Sequence, residues 1–188
     1  MKKTGIILFV LCVLVAFSSF GVSAQGKYYT KSGKVSFFSA TSMENIAANN
    51  KTAVCLLDTK TGDLQFAVLL KGFEFKKALM QEHFNSDYVE SDKFPRSEFK
   101  GQITNNSTIN YGANGTYPAN VKGKLTIHGV TKDVETAGTL SVKDGKMMAT
   151  AVFTIIIADY NITVPKLYRD NISKSIKITV DCTLDAMK

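Results

Sequence analysis

The feature that most restricts this chain is a two-residue alternation of apolar and polar side chains, repeated in successive runs that are separated by short turn signals. From Val121 to Ile127 the order puts Val121, Leu125 and Ile127 on one face and Lys122, Lys124 and Thr126 on the other. Ile176 to Cys182 repeats the pattern, with Ile176, Ile178, Val180 and Cys182 opposing Lys177, Thr179 and Asp181. That period belongs to half-buried β-strands. Thr61-Gly62-Asp63, Asn114-Gly115 and Asp144-Gly145 each suit a hairpin, because Asn, Asp and Gly tolerate positive φ, and His128-Gly129 marks another tight connection. Eight strands follow, at about 28–40, 52–58, 64–71, 101–109, 117–127, 130–142, 147–157 and 174–184. Their links are short. Parallel pairing needs long crossovers, so the expected fold is an all-β antiparallel meander.

Two stretches break the rhythm. Lys76 to about Ser86 allows a short helix with Leu79 and His83 on one side, read as a helical insert between strands. Tyr160 to Asn171, interrupted by Pro165, reads as a loop with one helical turn. Several strands are apolar on both faces: Leu64, Phe66, Val68 and Leu70 oppose Ala67 and Leu69, while Phe153, Ile155 and Ile157 oppose Val152 and Ile156. Such strands are expected to be covered on both sides, one by a barrel lumen and the other by the insert and loops. An eight-stranded barrel is just wide enough to hold one small ligand or to be plugged by its own side chains. Composition leaves those alternatives level.

At the N-terminus Lys2 and Lys3 precede an apolar run from Ile6 to Phe17, then small residues ending Val22-Ser23-Ala24. Twelve apolar residues suit a secretory signal core and fall short of the roughly 18 that span a bilayer. The expectation is a signal peptide over 1–24, cleaved after Ala24, and one domain over 25–188 in the periplasm or outside the cell. Cys12 sits inside the apolar run without the Leu-small-small context of a lipoprotein. Cleavage lowers the formal net charge from +7 to +5. The remaining lysines are scattered along strand faces, which disfavours nucleic-acid binding; that would want a clustered basic surface. Cys55 and Cys182 remain after cleavage, as two buried thiols or as one bridge.

His83 and His128 are the only histidines. Zinc wants three or four ligands at set spacing, so no metal or other cofactor is expected. His128 reads as a residue that fixes a turn by hydrogen bonding, and His83 as one that packs on the helical insert. Glu82, Glu90 and Asp92 would line a tunnel mouth or simply solvate it. A Gly-x-Ser-x-Gly elbow, a phosphate-cradling Gly-Lys-Ser/Thr loop and an HExxH helix are all missing from the sequence, which argues against an enzyme.

Three blocks carry a family resemblance. Met80-Gln81-Glu82-His83-Phe84-Asn85, then Tyr88 to Pro95, then Phe99-Lys100-Gly101 form the first. Gly123 to Lys132 forms the second, and Ala158-Asp159-Tyr160 before Pro165 the third. Together they resemble the YceI-like family over roughly 28–184. The resemblance implies a lipocalin-like antiparallel barrel, exported in many members, that binds polyisoprenoid chains or similar amphiphiles in an apolar tunnel.

A polyisoprenoid asks for little besides dry apolar wall. The residues expected to line it are Phe37, Phe66, Val68, Leu70, Phe73, Phe75, Leu79, Phe84, Phe99, Leu125, Ile127, Phe153 and Ile155. The expected function is therefore carriage of a polyisoprenoid, isoprenoid quinone or similar lipid, with transient membrane contact compatible with that cargo. The competing expectation is a structural or surface interaction domain with a self-filled barrel. Oligomeric state and the ligand's identity are not encoded in any motif.

Overall fold

The computed structural model describes residues 26–187. The expected signal peptide and its cleavage after Ala24 lie outside the described residues. Among the described residues there are nine strands: β1 (Lys27–Ala40), β2 (Asn45–Asp58), β3 (Asp63–Leu69), β4 (Glu74–Phe75), β5 (Arg96–Ile103), β6 (Gly115–Ile127), β7 (Val130–Lys143), β8 (Lys146–Ile156) and β9 (Ser175–Ala186). One short helix, α1 (Ala78–His83), continues into a π-helical turn, Phe84–Tyr88. Eight long strands run in the order β1-β9-β8-β7-β6-β5-β3-β2, and β2 pairs back onto β1, so the sheet closes as an antiparallel barrel. The ninth, two-residue β4, pairs with the upper part of β2 where β3 has already ended.

The barrel holds its shape through a paired irregularity in β1 and β2. Tyr28 and Thr30 are buried, and after the register shifts near Gly33 the buried positions become Gly33 and Val35, so the inward face changes from even to odd numbers. In β2 the change is the same: Ala48 and Asn50 face inward before it, Ala53 and Cys55 after it. An extra residue in each strand bends both at one level while keeping their apolar faces inside. Asn50 makes this possible. Fully buried, it donates from Nδ2 to the Leu69 carbonyl at 2.8 Å and accepts from the Thr52 amide at 2.8 Å. The strand expected over 52–58 begins earlier, at Asn45, because the amide side chain of Asn50 satisfies the backbone at the bulge and the strand continues through it.

A second device is the cross-strand pair Gly101–Gly123. A methyl on Gly123 would sit 2.5 Å from the Gly101 Cα and 2.7 Å from Phe99 Cζ. The Phe99 ring therefore lies across two glycines, the aromatic covering backbone that no side chain fills.

The structure corrects three expectations. The strand expected over 101–109 is β5 at 96–103, because the side-chain amides of Asn105 and Asn106 take the Pro118 and Thr59 carbonyls and end the pairing. Asn114-Gly115 is consequently no tight hairpin; it ends a loop from 104, and Asn114 Nδ2 donates to Asp144 Oδ1 at 3.1 Å. Asp144-Gly145 and His128-Gly129 are two-residue turns with positive φ at both positions. Finally, strands apolar on both faces are not covered on both sides. Leu69, Val152 and Ile156 face solvent, Val152 at 58% exposure, because the insert lies over one end of the barrel and leaves its flank open.

Candidate functional site

Buried side chains form two clusters, stacked along the barrel. The lower one fills the closed end. Tyr28, Ile109, Tyr111, Val142 and Met147 pack behind a floor made by Leu57, Leu64, Ile103, Ala119, Leu140 and Leu184. Tyr111 is locked there by its hydroxyl, which donates to Asn106 Oδ1 at 2.6 Å, and burial pushes its phenol up to about 12. Cys55 and Cys182 belong to this cluster as free, buried thiols; burial raises both, Cys182 to about 11. They behave as small apolar groups.

Above that floor the barrel is hollow. A cavity of about 800 Å³ runs up from Leu57 and Leu184 to the insert and the loop after β8. Along β9 its wall extends from Ile176 to Leu184, about 26 Å of strand at 3.3 Å per residue. The space exists because inward positions on three neighbouring strands carry very small side chains: Ala119 on β6, Gly138 on β7, and Ala149 and Ala151 on β8. The interior is thus not filled by its own side chains. Its volume falls within the range of ligand sites, roughly 300–1,000 Å³.

Every one of the thirteen residues read from the sequence as lining lies on this wall: Phe37, Phe66, Val68, Leu70, Phe73, Phe75, Leu79, Phe84, Phe99, Leu125, Ile127, Phe153 and Ile155. Sequence reading missed Val35, Val134, Ile176, Ile178 and Val180, also on the wall, although each lies on an expected strand whose alternation was available; Ile46, on the wall as well, precedes the strand expected over 52–58. It missed as well the loop residues Ile162, Val164, Leu167 and Tyr168, which no periodicity marks.

Four phenylalanines build the upper wall. Phe37, Phe73, Phe75 and Phe84 lie 5.2–5.6 Å apart between centroids, joining β1 and β4 to the insert. Tilted and edge-on contacts dominate, the favoured geometries for aromatic pairs. At the open end the polar groups are few and mutually engaged. Lys77 reaches Glu44 at 3.0 Å, and His83 Nδ1 meets Asp87 at 2.8 Å while its ring stands 6.3 Å from Tyr168. The Ser86 hydroxyl and then His83 hold the Asp87 carboxyl below its ordinary value. Glu82 and Asp92 are exposed and stand away from the wall, so they solvate the surface.

His128 pins the insert from outside the cavity. Its Nε2 lies 2.6 Å from Glu90 Oε2 and its Nδ1 3.1 Å from the Tyr160 carbonyl, with Phe94 edge-on at 4.7 Å. Both ring nitrogens face oxygen acceptors, so a doubly protonated imidazole donates to both and a neutral one to a single partner. The hydrogen bond from His128 keeps the Glu90 carboxyl below its usual range against a smaller desolvation penalty. Glu90 and His128 both adopt positive φ, at 44° and 51°, a cost that the shared contact offsets. One histidine thereby ties the insert, the β6–β7 turn and the 157–160 turn together.

Among the described residues no group of three or more His, Cys, Asp or Glu side chains converges on a point that would hold a metal. The polar groups that line the cavity sit mainly at its mouth, and the wall offers methyls, methylenes and rings.

The YceI-like domain model matches residues 15–184. Among solved structures, a polyisoprenoid binding domain from Saccharophagus degradans, implicated in plant cell wall breakdown, superposes with a TM-score of 0.75 at 13% identity; the match covers 87% of this chain and 99% of that one. BcnA from Burkholderia cenocepacia gives 0.67 at 19% identity, over 82% and 96% of the two chains. The YCEI protein of Campylobacter jejuni gives 0.57 at 17% identity, over 73% and 81%. At these identities the likeness is one of fold. No curated protein matches the sequence.

Proposed function

The chain belongs to the YceI-like family, and on that premise we propose that it is an exported carrier holding one apolar chain, a polyisoprenoid, isoprenoid quinone or similar lipid tail, inside its barrel, with no catalytic role. The observation that carries this reading is the hollow of about 800 Å³ walled by aliphatic and aromatic groups, blind at one end and open at the other. The polyisoprenoid binding of the Saccharophagus degradans domain, which shares the fold, supports the choice of cargo. Burying ten methylenes yields about 8 kcal/mol at ~0.8 kcal/mol each, near micromolar affinity before ordering costs. A tail of that length needs no polar anchor, in keeping with a wall that supplies almost none. The residues proposed to touch it are the thirteen named above.

Export rests on Lys2, Lys3 and the run Ile6 to Phe17, and the intact mass of the protein recovered outside the cytoplasm should correspond to a chain beginning at Gln25. Native mass spectrometry and organic extraction of the purified protein test the cargo. One equivalent of an apolar compound is expected. Repeatedly empty preparations that also refuse added isoprenoid alcohols would end the reading.

A further inference from the structure

The open end of the barrel carries a feature that cargo binding does not require. Three separate segments meet there: the β1–β2 turn, the helical insert and the loop between β8 and β9. Each presents one large apolar side chain to water. Met43 is 69% exposed, Leu79 63% and Leu167 80%, with Tyr168 beside Leu167 at 40%. Leu79, Leu167 and Tyr168 also line the cavity, so the outward apolar surface is continuous with the inner wall. The His83–Tyr168 ring contact joins the insert to the last loop across the mouth. A soluble protein normally scatters such residues singly; a contiguous set at an opening marks an interaction site.

From this rim we infer that the mouth docks on the surface of an anionic lipid bilayer, Met43, Leu79 and Leu167 entering the acyl boundary while the exposed Lys76, Lys166, Arg169 and Lys174 meet the headgroups. The inference rests on the carrier reading for its purpose but on the rim alone for its geometry. Three observations favour a bilayer over a protein partner. At the 150–250 Å² of a large side chain, the four residues expose on the order of 500 Å², below the roughly 800 Å² that each side of a stable protein interface buries. They sit on three separate tips and offer no strand edge or groove for a peptide.

The third observation is charge. Lys76, Lys166, Arg169 and Lys174 are exposed around the mouth, against the exposed carboxylates Glu82, Asp159 and Asp170. Glu44 is held by Lys77, and Asp87 lies 2.8 Å from His83 Nδ1. The signs at the mouth nearly balance, and the chain as a whole is basic, formally +7, the sign that an anionic leaflet attracts. Docking also removes a physical obstacle. A tail that leaves the tunnel into water exposes each methylene in turn, whereas a mouth seated in the acyl boundary passes it from one apolar medium to another.

The test uses the chain from Gln25, which contains every strand described and lacks the apolar run 6–17 that would partition into lipid by itself. Sedimentation with phosphatidylethanolamine–phosphatidylglycerol vesicles should exceed that with pure phosphatidylcholine several-fold and weaken with salt. The double variant Leu79→Ser with Leu167→Ser, at exposed positions where folding is little affected, should bind at least tenfold less while keeping its melting temperature. Wild-type protein that sediments with neither vesicle, or a double variant that sediments like wild type, overturns the inference. So does a concentration-dependent dimer that the double variant abolishes, which would assign the rim to a second copy. Uptake of geranylgeraniol in free solution separates this inference from the one beneath it. Vesicle binding without uptake removes the carrier and leaves the docking surface; uptake without vesicle binding does the opposite.

Discussion

Replacing Ala151 by phenylalanine should shorten the tails the barrel accepts without unfolding it. Ala151 faces inward on β8, pairs with Gly138 and Val180, and lies on the cavity wall where the smallest side chains gather. The new side chain adds about six carbons. If each displaces one guest methylene worth ~0.8 kcal/mol, a tail that fills the cavity loses at most about 5 kcal/mol. Sliding of the guest toward the mouth recovers part of this. We expect a net loss of about 2–3 kcal/mol, roughly a hundredfold in Kd, for long chains and less than threefold for chains that end below residue 151.

Overpacking of a full core costs about 1–3 kcal/mol, but here the ring enters vacant space, so stability should change little. A chain-length series of isoprenoid alcohols, titrated against a bound fluorescent analogue, reads the effect. Val152→Phe, on the outer face of the same strand, is the control and should leave binding unchanged. If Ala151→Phe melts normally and still takes long chains with wild-type affinity, the guest does not occupy this cavity and the reasoning fails.

Three further outcomes follow from geometry already described. His128→Ala removes the imidazole contacts to Glu90 and the Tyr160 carbonyl that fix three segments and should lower stability by about 2–3 kcal/mol in denaturant titration. His128→Asn should recover part of that loss, since Asn tolerates the positive φ of the turn. Glu90 has its folded-state acidity increased, chiefly by the His128 hydrogen bond, so its contribution is present above the ordinary carboxylate range near 4.5 and disappears as pH falls through the lower folded value. Melting temperature followed from pH 6 downward should therefore fall less steeply for Glu90→Gln than for wild type; equal slopes would show that the pair carries no such linkage. Gly123→Ala should destabilise the barrel by about 2 kcal/mol or more, because its methyl meets the Gly101 backbone and the Phe99 ring, and thermal denaturation of this variant and of Phe99→Ala reads the cost.

The closed antiparallel barrel was legible from period-2 runs and paired turn residues, and so was the inward wall, because strand parity assigns each side chain to one face. What escaped had other causes. Asn50 reads as a turn former in isolation, and only the Leu69 carbonyl nineteen residues away converts it into a bulge that a strand passes through. Asn105 and Asn106 end β5 through partners that lie across the fold, so local sequence could not place that boundary. The solvent-facing Val152 and Ile156 misled in the other direction: a residue's hydrophobicity reports how it behaves when covered, and whether it is covered depends on where the insert falls. The mouth itself was least legible, since Leu167 and Tyr168 sit in an irregular loop beyond Pro165 where no repeat exists to reveal them.

The last rung of this sheet joins Tyr28 to Ala186, so the two ends of the folded chain are neighbours. The container is therefore incomplete until the twelve residues of β9 are in place, and the entropy of closing so long a loop falls on that event. Before it, the aliphatic lining stands open along one side and is available to any passing chaperone or oily molecule. Were the chain exported in extended form, as proposed above, that delay would keep it pliable until transit ends. On the carrier reading, capture of cargo and completion of the fold would become neighbouring steps, with β9 acting as the stave that is fitted last.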